Sequence, residues 1–144
     1  MKTSTVETAA FSPTDLSRAG ATLLRVALGI MFIAHSVVLK YLMFTLAGTA
    51  QYFVSIGLPG FLAYVVFALE VVGGVLLVLG IRARWVALGL VPVLLGATWV
   101  HAGNGWGFNA PNGGWEYPVF LIVISLVVAA QDAGSSRSPS GGGN

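Results

Sequence analysis

Four apolar runs decide what this chain can fold into: about Ala21 to Tyr41, Phe61 to Ile81, Trp85 to His101 and Trp115 to Gln131. A helix that crosses a bilayer needs about 20 residues, within a range of roughly 17–25. The first two runs meet that length easily. The last two sit at its lower limit and, at ~1.5 Å of rise per residue, would stand nearly upright. Only 8% of the 144 residues are charged, and the mean hydropathy is +0.87. A soluble domain carries about a quarter charged residues, so the bilayer is the solvent these runs require. The pattern predicts an all-α integral membrane four-helix bundle.

The connections divide the chain further. The second and third runs are separated by little more than Arg82-Ala83-Arg84, which forces an antiparallel hairpin. Between the first and second runs, Leu46, Tyr52, Phe53 and Ile56 are spaced for a short amphipathic helix lying at the interface, closed by Gly57-Leu58-Pro59-Gly60. Residues 1–20 are polar and of mixed charge, and are expected to form a cytoplasmic tail. Residues 21–132 form the transmembrane domain, and residues 133–144, rich in Gly and Ser, a disordered tail.

Basic residues favour the cytoplasmic side of a membrane helix. With both termini cytoplasmic, Lys2, Arg18, Arg25, Arg82, Arg84 and Arg137 lie at or near the inner face, and only Lys40 falls outside. Arg82 and Arg84 are therefore read as topology determinants of a multi-pass protein of the plasma (inner) membrane. The net formal charge of +2 and the scattered basic residues do not make a phosphate-binding patch, so nucleic acid is not an expected partner. With no cysteine, the chain has no disulfide, thiolate metal site or dithiol couple of its own. It carries no phosphate-binding loop, nucleophile elbow or paired metal-ligand motif, and no metal is expected.

A charge at the bilayer centre costs ~2.5–3.5 kcal/mol on insertion scales, so ionisable residues inside such runs usually face the bundle interior and serve a function. Glu70 is the strongest case. It lies near the middle of its run with Gly73 and Gly74 at i+3 and i+4, where small residues permit close helix packing. A neutral carboxyl making one interhelical hydrogen bond is the plainer alternative. His35 and His101 approach the same level, as ligand or proton partners of Glu70 or as residues satisfied by neighbouring carbonyls. Two histidines can also hold haem, but the pair alone gives haem little support. Glu116 opens the fourth run, where the helix dipole already favours an acid. Arg25 either extends to the cytoplasmic surface or, sharing a face with Gly29, Phe32 and Ser36, turns inward.

These residues also carry a resemblance. Arg25-x3-Gly29-x2-Phe32-x2-His35, then Glu70-x2-Gly73-Gly74, Gly80 with Arg84, His101, and Asn112-Gly113-Gly114-Trp115-Glu116-Tyr117 together resemble the DoxX family of four-helix membrane proteins. The family usually has Gly after the histidine and Lys four residues after it. This chain has Ser36 and Leu39 instead, with Lys40 one place later, which leaves Lys40 outside the expected site. The resemblance implies a membrane subunit of a quinone-linked oxidoreductase system, passing electrons from a reduced sulfur compound or a stress-related donor to quinone. It implies a redox or extracytoplasmic partner protein and allows a homo-oligomer. A non-catalytic assembly or scaffold factor, or a small-molecule transporter, are the alternatives it leaves open.

Overall fold

The computed structural model describes residues 12–107 and 109–135, with side chains given up to residue 132. These residues form five α-helices, and no strand occurs among them: α1 (Pro13–Ala34), α2 (Leu46–Ser55), α3 (Phe61–Leu79), α4 (Ala83–His101) and α5 (Glu116–Ser135). α1 continues without a break into a π-helical segment, His35–Met43, and α4 ends in a short 3-10 turn, Ala102–Asn104. Three of these helical stretches, Pro13–Met43, Phe61–Leu79 and Ala83–Asn104, are long and apolar enough to cross a membrane. Their exteriors agree: Leu23 is 71% exposed and Val72 57% exposed, which in water would make an aggregating surface and in lipid is the expected one.

α1 begins eight residues before the expected edge of the membrane run. Ser12 accepts a hydrogen bond from the Thr14 amide at 3.4 Å, Pro13 occupies the first turn, and Asp15 follows where the helix dipole favours an acid. Residues 12–20 are nearly all exposed. The polar segment expected to be tail is therefore helical from residue 13, because helix-start chemistry does not require apolar side chains. The remainder of that tail and most of the expected C-terminal tail lie outside the described residues.

α1 and α3 run antiparallel and meet backbone to backbone. A Cβ on Gly29 would stand 2.6 Å from the Gly74 carbonyl oxygen, and one on Gly74 would stand 2.7 Å from that of Gly29. The neighbouring Gly73 faces α4 instead, where a Cβ would come within 2.9 Å of a Leu90 methyl. Adjacent glycines thus admit one helix each, and both are about one turn from Glu70.

The α3–α4 hairpin is closed by a Schellman motif. Gly80 adopts φ +75°, the Ile81 amide donates to Leu76 O at 2.9 Å and the Gly80 amide to Leu77 O at 3.1 Å. Asp132 near the end of α5 accepts from the Arg84 amide at 3.1 Å, which ties α5 to the start of α4. α5 packs most extensively on α4 and also touches α1. Leu28, Phe32, Leu77, Leu90, Leu121 and Val128 form the shared core.

Because the α1–α3 crossing leaves no room for a methyl group, Gly29→Ala and Gly74→Ala are each expected to cost about 1–3 kcal/mol, read as a lower unfolding temperature in mild detergent. Gly89→Ala and Gly96→Ala, which meet nothing within 4 Å, should leave that temperature unchanged.

Candidate functional site

Glu70 is 5% exposed at mid-helix in α3. Its carboxylate is met from the π-helical segment by the Ser36 hydroxyl and by the Lys40 ammonium, both donating to Oε2. The Lys40 side chain is only 13% exposed. A buried carboxylate and ammonium are tolerated when paired and hydrogen-bonded, and here the partners come from a helix that the glycine crossing holds against α3.

Lys40 reverses the sequence expectation. In an α-helix the residue four ahead returns to the same face; in a π-helix, closed by i→i+5 bonds, the residue five ahead does so. The segment His35–Met43 is π-helical, and within it Lys40, four residues after Ser36, meets the same Glu70 oxygen as that hydroxyl. The ammonium turns inward to the acid. Its backbone is tied as well. The Thr49 hydroxyl donates to Lys40 O at 3.3 Å and to Thr45 O at 2.9 Å, and Thr45 itself holds a φ of +60°, rare for a β-branched residue.

Beside this pair lies a chamber of about 50 Å³, lined by His35, Glu70 and His101 together with apolar residues of α1, α4 and α5. His35 is within electrostatic reach of Lys40, Glu70 and His101. His101 ends α4 and is steadied by the following loop. The Asn104 amide nitrogen donates to Gly113 O at 2.9 Å and Asn112 O at 3.3 Å, and approaches His101 Nδ1 at 3.4 Å. The two carbonyls fix which way the amide faces. The amide's two hydrogens are shared among these acceptors, and a neutral ring protonated on Nε2 would let Nδ1 accept one of them. The loop closes on itself through the Trp115 amide to Gly105 O at 3.2 Å and an edge-to-face contact of Trp106 with Trp115.

Two expected site residues are elsewhere. Arg25 turns inward, but its guanidinium donates to Leu77 O and, at 3.1 Å, to Val78 O. It caps the C-terminal end of α3, where free carbonyls and the helix dipole attract a cation. Glu116 opens α5, its amide donating to Trp106 O at 3.1 Å, and lines an outer groove rather than the chamber. Of the two topology arginines, Arg82 is exposed, and Arg84 lies over the Trp85 ring at 5.2 Å.

Tyr117 is the residue sequence reasoning passed over. It lines the chamber, and its hydroxyl is the one buried side-chain polar atom without a hydrogen-bond partner among the described residues. An aromatic at the head of an apolar run reads as a membrane-interface residue, and no spacing signal marks it out.

Comparison with known proteins fits this architecture. Residues 20–103 match the DoxX family, which takes in α1 from Gly20 onward with the π-helical segment, α2, α3, α4 and nearly all of the short turn after it. The chain belongs to the DoxX family. A relative from Bacillus subtilis (strain 168), CatD, is 45% identical over 111 residues, covering 76% of this chain and 77% of that protein. Its name assigns it provisionally to the oxidoreductases. No solved structure matches the chain. Family membership and the three long apolar helices make this DoxX protein a multi-pass membrane protein.

The ion pair gives this DoxX protein a clear signature in mutants. Removing one partner of a buried pair costs about 3–5 kcal/mol, whereas replacing both costs much less. Lys40→Met alone should lower the unfolding temperature sharply, and Lys40→Met with Glu70→Gln should recover most of the loss. Additive losses in thermal unfolding would mean that the two groups do not interact.

Proposed function

We propose that this DoxX protein is the membrane subunit of an oxidoreductase system that delivers electrons to quinone, with the Glu70 chamber as its proton-handling site. The observation that carries the reading is the Glu70–Lys40–Ser36 cluster next to His35 and His101. It is a chain of groups able to exchange protons, enclosed in an otherwise apolar body. A membrane protein retains ionisable groups at that depth for proton or ligand traffic. The oxidoreductase name of the Bacillus relative supports the reaction class.

Reducing a quinone to a quinol takes two electrons and two protons. The chain has no cysteine; in this reading the electrons come from a partner redox protein, and the chain supplies protons and a binding surface. The residues fit a quinone carbonyl. His101 can offer Nε2–H, and the unpartnered Tyr117 hydroxyl is a second donor. The fit is to the carbonyl edge only, since a cavity that takes a benzene ring measures roughly 150 Å³ and the chamber about 50 Å³.

The same reading has α5 cross the membrane as a fourth span, with both termini cytoplasmic in the plasma membrane and α2 lying at the outer interface. The placement of basic residues supports this orientation. Exposed positions report it directly. Ile81→Cys, exposed in the α3–α4 hairpin, should resist an impermeant maleimide in intact cells, and Gly103→Cys should react; the opposite pattern would invert the topology.

Function is tested in complexes purified through this chain in mild detergent, with bound quinone and co-purifying proteins identified by mass spectrometry. His35→Ala and His101→Ala are expected to lower quinone reduction by tenfold or more at unchanged partner recovery. An unpaired buried polar group costs about 1–3 kcal/mol, enough for such a loss. Partner recovery collapsing with these variants, and no quinone dependence, would instead assign the protein to assembly of its partner.

A further inference from the structure

A second space lies against the outside of α5. It is a groove of about 570 Å³ lined by Trp106, Glu116, Tyr117, Val119, Phe120 and Val123. Among the described residues, Tyr117 alone lines both this groove and the inner chamber. Its ring is therefore a common wall, and its hydroxyl is buried without a partner. Buried hydroxyls in folded proteins are nearly always satisfied by protein, water or ligand.

From this juxtaposition we infer that the groove on α5 is where the ring of a neutral, tail-bearing quinone docks, and that the Tyr117 hydroxyl donates the hydrogen bond that recognises its carbonyl. The inference rests on the quinone reading above and deepens it by naming the entry face and the recognising atom. Size assigns the parts. The chamber is too small for a ring, whereas the groove accommodates a substituted ring with the start of its tail. Composition selects the occupant. Trp106, Val119, Phe120 and Val123 offer flat and branched apolar contact, and Phe120 and Val123 are 58% and 52% exposed, so the groove is open along the helix surface.

Charge narrows it further. Among the described residues, no basic one lines the groove, and the acid Glu116 stands at its head. A fatty-acid carboxylate or a phospholipid phosphate would meet no cation there, whereas a neutral carbonyl needs only a donor. Tyr117 then divides the ligand from the proton-bearing groups. The ring stays on the apolar side, and its oxygen is presented to the side holding His35, Glu70 and His101.

The test uses decyl-substituted benzoquinone, with decanoate as the anionic control, on the full chain in detergent after lipid removal. Trp85→Phe and Trp99→Phe leave the Trp106–Trp115 pair as the fluorescent reporter at the groove. The quinone is expected to quench it saturably, and excess decanoate is not expected to displace it. Tyr117→Phe removes one oxygen and should weaken quinone binding about 3- to 10-fold, the range of one neutral hydrogen bond. The ligand-free variant should be at least as stable as the parent, because the lost hydroxyl had no partner. Val123→Phe, at an exposed position in the groove, should block quenching without unfolding the protein or adding a fluorophore. Equal binding by the parent and Tyr117→Phe would overturn the Tyr117 assignment while leaving the quinone reading intact. Absence of saturable quinone binding in the parent would overturn both. A loss of ligand-free stability in Tyr117→Phe would give the hydroxyl a structural partner and overturn the assignment by another route.

Discussion

A carboxylate and an ammonium held together inside an apolar body set the terms for everything around them. Neither Glu70 nor Lys40 would be tolerated alone at that depth, so the helices that carry them must approach closely and keep their relative rotation. The Gly29–Gly74 contact provides the approach, since bare backbone is the thinnest surface a helix can present. Arg25 holds the other end of the same pair of helices by closing the free carbonyls of α3. Three features of one interface therefore act together: a polar clasp, a contact of bare backbone and a cationic cap.

Much of this was legible in the sequence where a single side chain carries the information. The apolar runs mark helices because burial of the backbone in lipid leaves few other options. Glu70 stands out because an acid in such a run needs a reason. The features that escaped depend on groups that sequence does not display. Arg25 shares a face with Gly29 and Phe32, as its spacing indicates, but its partners are main-chain carbonyls, which every residue possesses. Tyr117 is conspicuous only through the partner its hydroxyl lacks. The Ser12-Pro13 start of α1 lies in a polar segment, and a search keyed to hydropathy passes over it.

The chamber and the groove divide wet chemistry from dry. On one side of Tyr117 stand groups that exchange protons, and on the other is a surface suited to a hydrocarbon-soluble molecule. Keeping the chamber small has its own physical merit. A large polar cavity at membrane depth would fill with water and weaken the field between Glu70 and Lys40, whereas a tight one preserves the strength of each interaction. The loop after α4 serves the same division, because Asn104 approaches the His101 ring from the loop side while the ring lines the chamber.

The π-helical turn from His35 to Met43 has a consequence for how such chains are compared. Spacing along a sequence stands in for position in space only while the winding is constant, and here it is not. Ser36 and Lys40 reach one carboxylate oxygen across four residues, while His35 beside them lines the chamber. Counting places from the histidine alone misses the amino group, whose position is set by the winding of the turn and by the acid it meets.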